Sequence, residues 1–246
     1  MRYFIFTDIH GNLEAFNAVL KFAKKRKIDH YLFLGDLVGY GASPNEIIQK
    51  IRTLKPLSLI RGNHDKAVCG LDTIQTFNPI AASAIYWTKA NIKKTCDTYL
   101  CKIQKGPIIV NKDITLCHGA PFDEDHYIFG EFDAGEAFIH FDNQICFFGH
   151  THFPFVYTEK DHLVEGTFLT GDTNEIKLEK GVRYLINPGS VGQPRDRNSK
   201  AACAIFDTKA QKVKCFRLDY NIEEAQRKII EANLPPALAE RLWLGI

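Results

Sequence analysis

The chain has 246 residues, of which 45% are hydrophobic and 24% are charged, as in an ordinary globular protein. Its 31 basic and 29 acidic residues give a net charge of +2, so no overall field attracts it to nucleic acid or to a membrane. No apolar run reaches the roughly 18 residues of a transmembrane helix. No signal peptide is evident before the first strand-like segment. From the charge balance and the lack of long apolar runs, we expect neither membrane nor nucleic-acid partners.

The seven cysteines are an odd number without CxxC spacing. Four of them lie in apolar, strand-like runs: Cys117, Cys146, Cys203 and Cys215. This usage predicts buried thiols and a cytoplasmic location. A Cys96–Cys101 disulfide is the alternative that the spacing leaves open. Because neighbours on a strand point to opposite faces, we expect Cys117 to face the core rather than to join its neighbour His118.

The first third of the chain alternates strands and helices. The predicted elements there are a strand at 2–7, a helix at 11–26, a strand at 31–34, a helix at 44–53 and a strand at 57–60. The second helix follows Ser43 and begins with Pro44, which is a common first helical residue. This βαβαβ order predicts parallel strands joined by crossover helices.

The rest of the chain is richer in strands. Helices are predicted at 78–93, 133–141, 221–232 and from the Pro235-Pro236 pair to about 243, with a helical turn within 94–105. Short strands are predicted at 107–110, 113–118, 145–149, 153–158, 162–170, 175–179, 182–186, 201–207 and 211–217.

Five short motifs end in side chains that bind metals, and most of them follow a predicted strand. They are Asp8-Ile9-His10, Gly35-Asp36, Gly62-Asn63-His64-Asp65, Cys117-His118-Gly119 and Gly149-His150-Thr151-His152. Strands that end at one edge of a sheet deliver the residues that follow them to one place. Because the motifs come from both halves and no linker separates these, we predict a single domain over residues 1–246. The expected fold is a four-layer α/β/β/α sandwich of two mixed sheets flanked by helices.

The spacing of these residues suits two metal ions. Asp8 and His10 are two residues apart, which places both side chains on one face, and His150 and His152 repeat the arrangement. Asp36 follows a third strand, where its carboxylate can bridge two cations. Imidazole and carboxylate ligands together favour manganese, iron, zinc or nickel over calcium.

The remaining motif residues complete a hydrolytic site. Asn63 offers a neutral oxygen, and His118 offers another imidazole. Two ions about 3.5–4 Å apart clamp a phosphoryl group and generate a bridging hydroxide that attacks phosphorus in line. The leaving alkoxide then needs a proton, for which His64 is the candidate general acid.

These five motifs resemble the signature of the calcineurin-like metallophosphoesterases, which runs D-x-H, GD, GNH(D/E), H and GHxH, over nearly the whole chain. The resemblance implies the four-layer sandwich and assigns Asp8, His10 and His152 to one metal. It assigns Asn63, His118 and His150 to the other, with Asp36 as the bridge and His64 as the acid. The expected substrate is a small phosphomonoester or phosphodiester.

The chain departs from the phosphoprotein phosphatases of this family. Those enzymes carry GDxVDRG, in which an Asp steadies the catalytic His and an Arg grips the phosphate. Here the stretch from Gly35 to Gly41 reads GDLVGYG and lacks both residues. The chain is more similar to the compact bacterial and archaeal branch, which shares GDxxGYG and the Asn187-Pro188-Gly189-Ser190 stretch. The departure leaves open what orients His64.

Three further residues are candidate substrate contacts. Arg195 lies in a loop rich in Gly and Pro and is a candidate phosphate clamp, with a solvated turn residue as the alternative. Arg61 precedes Gly62, and Asn12 is a candidate either for substrate contact or for capping the first helix. Tyr40, Tyr127 and His126 also lie close to the motifs along the chain.

A protein-binding scaffold on the same fold is the main alternative function. A retromer subunit resembles this family but has lost key histidines, whereas here no motif residue is missing. A DNA nuclease of this superfamily would need an extended basic surface, which the charge balance does not provide. The physiological substrate, the native metals and the oligomeric state stay open.

Overall fold

Strand β1 (Arg2–Phe6) lies near the middle of the fold, and its alternate residues enter two different cores. Phe4 and Phe6 pack with residues of the first two helices, whereas Tyr3 and Ile5 pack with residues of a second sheet. This alternation follows from the two-residue period of a strand. The computed structural model describes all residues from Met1 to Ile246.

The structure has twelve strands and eight α-helices. The other strands are β2 (His30–Phe33), β3 (Leu57–Leu59), β4 (Ile108–Val110), β5 (Ile114–Leu116), β6 (Ile145–Phe147), β7 (Phe155–Lys160), β8 (Leu163–Phe168), β9 (Thr173–Lys177), β10 (Arg183–Asn187), β11 (Ala201–Asp207) and β12 (Lys212–Leu218). The helices are α1 (Leu13–Lys24), α2 (Pro44–Ile51), α3 (Asn63–Val68), α4 (Pro79–Asn91), α5 (Lys94–Leu100), α6 (Glu131–Ile139), α7 (Ile222–Glu231) and α8 (Ala237–Leu244).

The strands form two mixed sheets of six. Their orders are β3-β2-β1-β11-β12-β9 and β4-β5-β6-β10-β7-β8. One core packs the first sheet against α1 and α2, a second core lies between the sheets, and a third packs the second sheet against α6. The predicted four-layer sandwich is therefore confirmed.

Parallel pairing brings the motif-bearing ends of the strands to one edge. Strands β1, β2 and β3 are mutually parallel neighbours in the first sheet, and β5 and β6 are parallel in the second. The amide of Gly149, which follows β6, donates to the carbonyl oxygen of His118, which follows β5, at 2.8 Å. The motifs are thus held together by backbone hydrogen bonds beyond the strands.

Helix α3 was missing from the sequence-based prediction, which treated residues after Gly62 only as a motif. Its six residues are too few for a clear amphipathic period, so periodicity gave no signal. The predicted helical turn within 94–105 forms α5. The first helix begins where Asn12 accepts a hydrogen bond from the Ala15 amide at 3.1 Å, so the predicted cap is confirmed.

The cysteine prediction is partly wrong. Cys69 and Cys101 form a disulfide that joins the C-terminal ends of α3 and α5, while Cys96 is buried and free. Cys117 packs in the core beside Cys146, as predicted. Because a disulfide forms across segments far apart in sequence, cysteine spacing could not reveal it. Cysteine usage therefore no longer indicates a reducing compartment.

None of the helices is both long and apolar enough to cross a membrane.

Candidate metal centre

The seven predicted metal ligands meet at the shared edge of the two sheets. The six charged or imidazole side chains are all buried there: Asp8, His10, Asp36, His118, His150 and His152. They form two groups of three whose possible ligand atoms lie within 4.8 Å of one another, and a third group of His10, Asp36 and His64 joins the two. The seventh, Asn63, starts α3, and its Oδ1 lies 3.2 Å from Nε2 of His118.

The first group contains Asp8, His10 and His152. Nε2 of His10 lies 3.1 Å from Nε2 of His152 and 3.8 Å from Oδ1 of Asp8, and the distance from His152 Nε2 to that oxygen is 3.4 Å. Ligands of a tetrahedral zinc site with bonds near 2.1 Å are separated by about 3.4 Å. The group therefore has the size of a single metal site.

The second group contains Asn63, His118 and His150, and Asp36 lies between this group and the first. Oδ2 of Asp36 lies 3.4 Å from Nε2 of His10 and 3.5 Å from Nε2 of His118. The same carboxylate oxygen thus lies between the two groups. The other carboxylate oxygen of Asp36, Oδ1, accepts a hydrogen bond from the backbone amide of His64 at 2.9 Å. This bond fixes the plane of the carboxylate.

Each of the four ligand histidines has one ring nitrogen against a backbone carbonyl oxygen. Nδ1 of His10 faces Val38 at 3.1 Å, Nδ1 of His118 faces Leu34 at 2.8 Å, Nδ1 of His152 faces Gln193 at 2.5 Å, and Nε2 of His150 faces Asp125 at 3.1 Å. A carbonyl oxygen only accepts, so that nitrogen carries a proton and the other ring nitrogen is the one available to a metal ion. This arrangement is typical of metal-binding histidines.

The buried polar atoms of the ligands are poorly paired with one another, and a metal ion would compensate for this. Oδ1 of Asp8 is fully buried and has no hydrogen-bond partner, which is costly for a carboxylate unless a cation lies beside it. Burial alone would raise the pKa of Asp36, but the charges of His118, His64 and His10 hold it below its usual value. Burial disfavours a charged His118, yet the Asp36 carboxylate raises the pKa of His118 to about 10. A cation would replace that proton.

The backbone at these ligands is unusual. Five of them have positive φ angles between 47° and 65°: Asp8, His10, Asp36, His150 and His152. Residues other than glycine adopt this left-handed region rarely, at a cost of about 1–3 kcal/mol each, and such residues cluster at functional sites. The turns after the strands therefore aim these side chains inward against local preference.

Asp65 is a supporting residue that the sequence reasoning missed. Its carboxylate accepts hydrogen bonds from the amides of Asp36, Leu37 and Val38 at 2.9, 2.9 and 3.2 Å, and from that of Gly62 at 3.1 Å. It thereby ties the Asp36 turn to the start of α3. An acidic residue three positions after a helix cap was the available signal.

His64 differs from the four ligand histidines. Its Nδ1 is buried and has no hydrogen-bond partner. Its ring packs against Tyr40, His10 and Phe77, with centroid distances of 4.5, 4.8 and 5.1 Å. Aromatic packing therefore orients His64, which answers the question that the sequence left open. A Cβ at Gly39 would lie 2.4 Å from Nδ1, so a side chain at that position would displace this ring.

The three candidate substrate contacts lie in different surroundings. Asn12 uses Oδ1 to cap α1, and its Nδ2 donates to the Gly192 carbonyl oxygen at 2.9 Å. Arg61 is bound through two nitrogens to the carboxylate of Glu124, at 3.1 and 2.9 Å. Only Arg195 has a buried donor without a partner, its Nε.

Arg195 lies next to the metal ligands. Its Nη2 makes long hydrogen bonds to Oη of Tyr40, at 3.4 Å, and to Oε1 of Gln193, at 3.3 Å. Burial, and after it the positive charge of Arg195, lower the pKa of His152. The guanidinium therefore faces the site without a carboxylate to neutralise it.

Comparison with known proteins agrees with this geometry. The family described as the calcineurin-like phosphoesterase superfamily domain matches residues 1–211. The chain belongs to the calcineurin-like phosphoesterase superfamily. Among curated proteins it is 42% identical over 248 residues to the uncharacterized protein MJ0912 of Methanocaldococcus jannaschii, covering 98% of this chain and 97% of that protein.

Two solved structures extend the comparison. A metallophosphoesterase from Sphaerobacter thermophilus has 38% sequence identity and a TM-score of 0.89, covering 100% of this chain and 99% of its own. The hypothetical protein PH1004 from Pyrococcus horikoshii OT3 has a TM-score of 0.81 at 18% identity, covering 100% of this chain and 98% of its own, which shows a shared fold. The chain therefore shares its fold over its full length with both of these proteins.

The position of Asp36 between the two groups leads to a differential prediction. Asp36→Ala should reduce Mn²⁺ binding at both groups, because it removes their shared oxygen, whereas His150→Ala should affect only the second group. Metal analysis after equilibrium dialysis measures the bound ions per chain. Asp113→Ala removes an exposed carboxylate and serves as the control, with unchanged metal content. Asp36→Ala protein that retains more metal than His150→Ala protein would contradict the shared position.

Proposed function

We propose that the protein is a dinuclear metal-dependent phosphoesterase that hydrolyses a phosphomonoester or phosphodiester bond of a small substrate. The observation that supports it most directly is the single oxygen of Asp36 between two groups of buried ligands. In this proposal Asp8, His10 and His152 would hold one ion, Asn63, His118 and His150 would hold the other, and the Asp36 carboxylate would be shared by both. Manganese, iron, zinc or nickel suits these ligands.

The chain's own residues supply the positioning and the charge around the phosphate. When bound, the two ions would supply an activated water and neutralise phosphoryl oxygens. Arg195 offers an unpartnered Nε and a weakly bound Nη2, and a guanidinium matches the planar geometry of phosphate oxygens. Asn12 and Arg61 do not contact the phosphate in this scheme. Asn12 already caps α1 and donates to the Gly192 carbonyl oxygen, and Arg61 is already paired with Glu124.

His64 is the proposed general acid. Burial lowers the pKa of His64 to about 4 although the nearby Asp36 carboxylate raises it, so its ring is neutral near pH 7 before substrate binds. The negative charge of a bound phosphate ester favours the protonated ring, which couples protonation to substrate binding. The proton then passes from His64 to the leaving oxygen.

Because the ligands and His64 follow strands of both sheets, we infer that the chain works as one domain.

The role of His64 is tested by varying the leaving group. His64→Ala should slow hydrolysis of alkyl phosphate esters about 10²- to 10⁴-fold, the usual contribution of a general acid. Hydrolysis of p-nitrophenyl esters should slow far less, because nitrophenolate leaves without a proton. The measurement is kcat for both ester classes on Mn²⁺-loaded protein, with the exposed His140→Ala variant as control. Equal losses for the two classes would argue against the acid role.

Arg195 makes a separate prediction about phosphate binding. Arg195→Ala should lower kcat/KM about 10²-fold or more, because a charge-assisted contact to the phosphoryl oxygens is lost. Arg195→Lys should restore only part of the loss, since lysine keeps the charge but not the planar donor pair. Arg61→Ala, which removes a guanidinium already bound to Glu124, is the matched control and should have a smaller effect. If Arg195→Ala and Arg61→Ala lose the same activity, the phosphate clamp is wrong.

A further inference from the structure

Two tyrosine hydroxyl groups contact Arg195 at the edge of the cleft over the metal centre. Oη of Tyr40 accepts a hydrogen bond from Nη2 of Arg195 at 3.4 Å. Burial raises the pKa of Tyr127, and the charge of Arg195 together with a side-chain hydrogen bond from it partly offsets this rise. The two tyrosines come from separate segments, after β2 and before α6, and both line the cleft. The guanidinium is thus contacted by two hydroxyl groups that the chain holds independently.

The ring of Tyr127 is fixed by aromatic stacking. Its centroid lies 3.9 Å from that of the His150 ring, with an angle of 25° between the planes. Phe129 also stacks on Tyr127, at 5.2 Å and 4°. Because these contacts restrain the ring, its hydroxyl has a defined position relative to a proposed metal ligand.

The ring of Tyr40 is fixed by its backbone and by its packing. Tyr40 has a φ angle of 59°, which is rare for a bulky residue and is found mainly where the surrounding structure imposes it. The side chain is only 6% exposed, and its ring packs against His64 and His10 with centroid distances of 4.5 and 4.6 Å. The unusual backbone therefore places this hydroxyl between functional histidines and Arg195.

The groups that contact Arg195 are neutral. Arginines are commonly oriented by a carboxylate, as Arg61 is by Glu124. Arg195 instead donates to the oxygens of Tyr40 and Gln193 and contacts the hydroxyl of Tyr127. A guanidinium only donates, so these oxygens act as acceptors. Neutral acceptors orient the guanidinium without neutralising it, and its charge stays available for an anion.

We propose that Tyr40 and Tyr127 are positioning residues that hold the Arg195 guanidinium beside the metal centre and leave its charge free for the phosphate. The inference rests on the proposed phosphoesterase function and adds two residues to its phosphate-binding site. The tyrosines act through Arg195 in this account.

The mobility of Arg195 tests the positioning directly. Nitrogen-15 relaxation of its Nε is measured by NMR on Zn²⁺-loaded protein, since zinc is diamagnetic, and Arg195→Lys identifies the signal by its loss. We expect an order parameter of about 0.85, as in rigid groups, and a value below about 0.6 when Tyr40→Phe and Tyr127→Phe are combined. Both changes remove a hydroxyl and keep the ring. Tyr86→Phe removes a hydroxyl from a residue that is 59% exposed on α4, and it should change nothing.

A double-mutant cycle shows whether the tyrosines act through Arg195. Calorimetry measures the affinity of Mn²⁺-loaded protein for inorganic phosphate. Tyr40→Phe and Tyr127→Phe should each weaken binding about three- to tenfold, the usual effect of one lost hydrogen bond. In an Arg195→Ala background the same two changes should have no further effect, because no guanidinium remains to be positioned. Equal losses in both backgrounds would overturn the proposal.

The two measurements separate this inference from the proposed function. An unchanged order parameter for Arg195 in the combined Tyr40→Phe and Tyr127→Phe variant overturns the positioning role even when phosphate binds. A lower order parameter in that variant supports the positioning role even when the unsubstituted protein binds no phosphate. That second result would count against the phosphoesterase proposal alone.

Discussion

The structure of the site depends on the fixed position of the Asp36 carboxylate. One oxygen lies between Nε2 of His10 and Nε2 of His118, and the other accepts from the His64 amide. The Asp65 carboxylate holds the same turn by accepting hydrogen bonds from the backbone amides of Asp36, Leu37 and Val38. A carboxylate held at both its backbone and its side chain keeps two ligand groups at a constant separation. The geometry around the proposed ions is therefore built before any ion binds.

This preorganisation is costly in the absence of cations. Five ligands occupy the left-handed backbone region, and Oδ1 of Asp8 is buried without a partner. Strain of this kind persists only where the surrounding structure imposes it. Hydrogen bonds between the turns after β1, β2 and β6 impose it here, because the Asp8 amide donates to the Gly35 carbonyl oxygen and the His150 amide donates to Oδ2 of Asp8. Metal binding would offset part of that cost, so metal and fold stability should be coupled.

The sequence predicted the convergence of the motifs because parallel strands that end at one edge must deliver Asp8, Asp36 and His118 together. The structure brings these residues together as expected. Periodicity could not show that α3 starts at Asn63, nor could cysteine spacing show the disulfide between Cys69 and Cys101. The hydrogen-bonded carbonyl oxygens that fix each histidine tautomer come from residues distant in sequence, so they are visible only once the chain is folded.

The central claim is that one Asp36 oxygen bridges two ions, and a crystal structure of the Mn²⁺-loaded protein tests it most directly. Diffraction data collected at the manganese absorption edge locate the ions independently of the protein atoms. The account predicts two anomalous peaks about 3.5–4 Å apart with Asp36 Oδ2 bonded to both. A single peak, or two ions of which only one contacts Asp36, would contradict it.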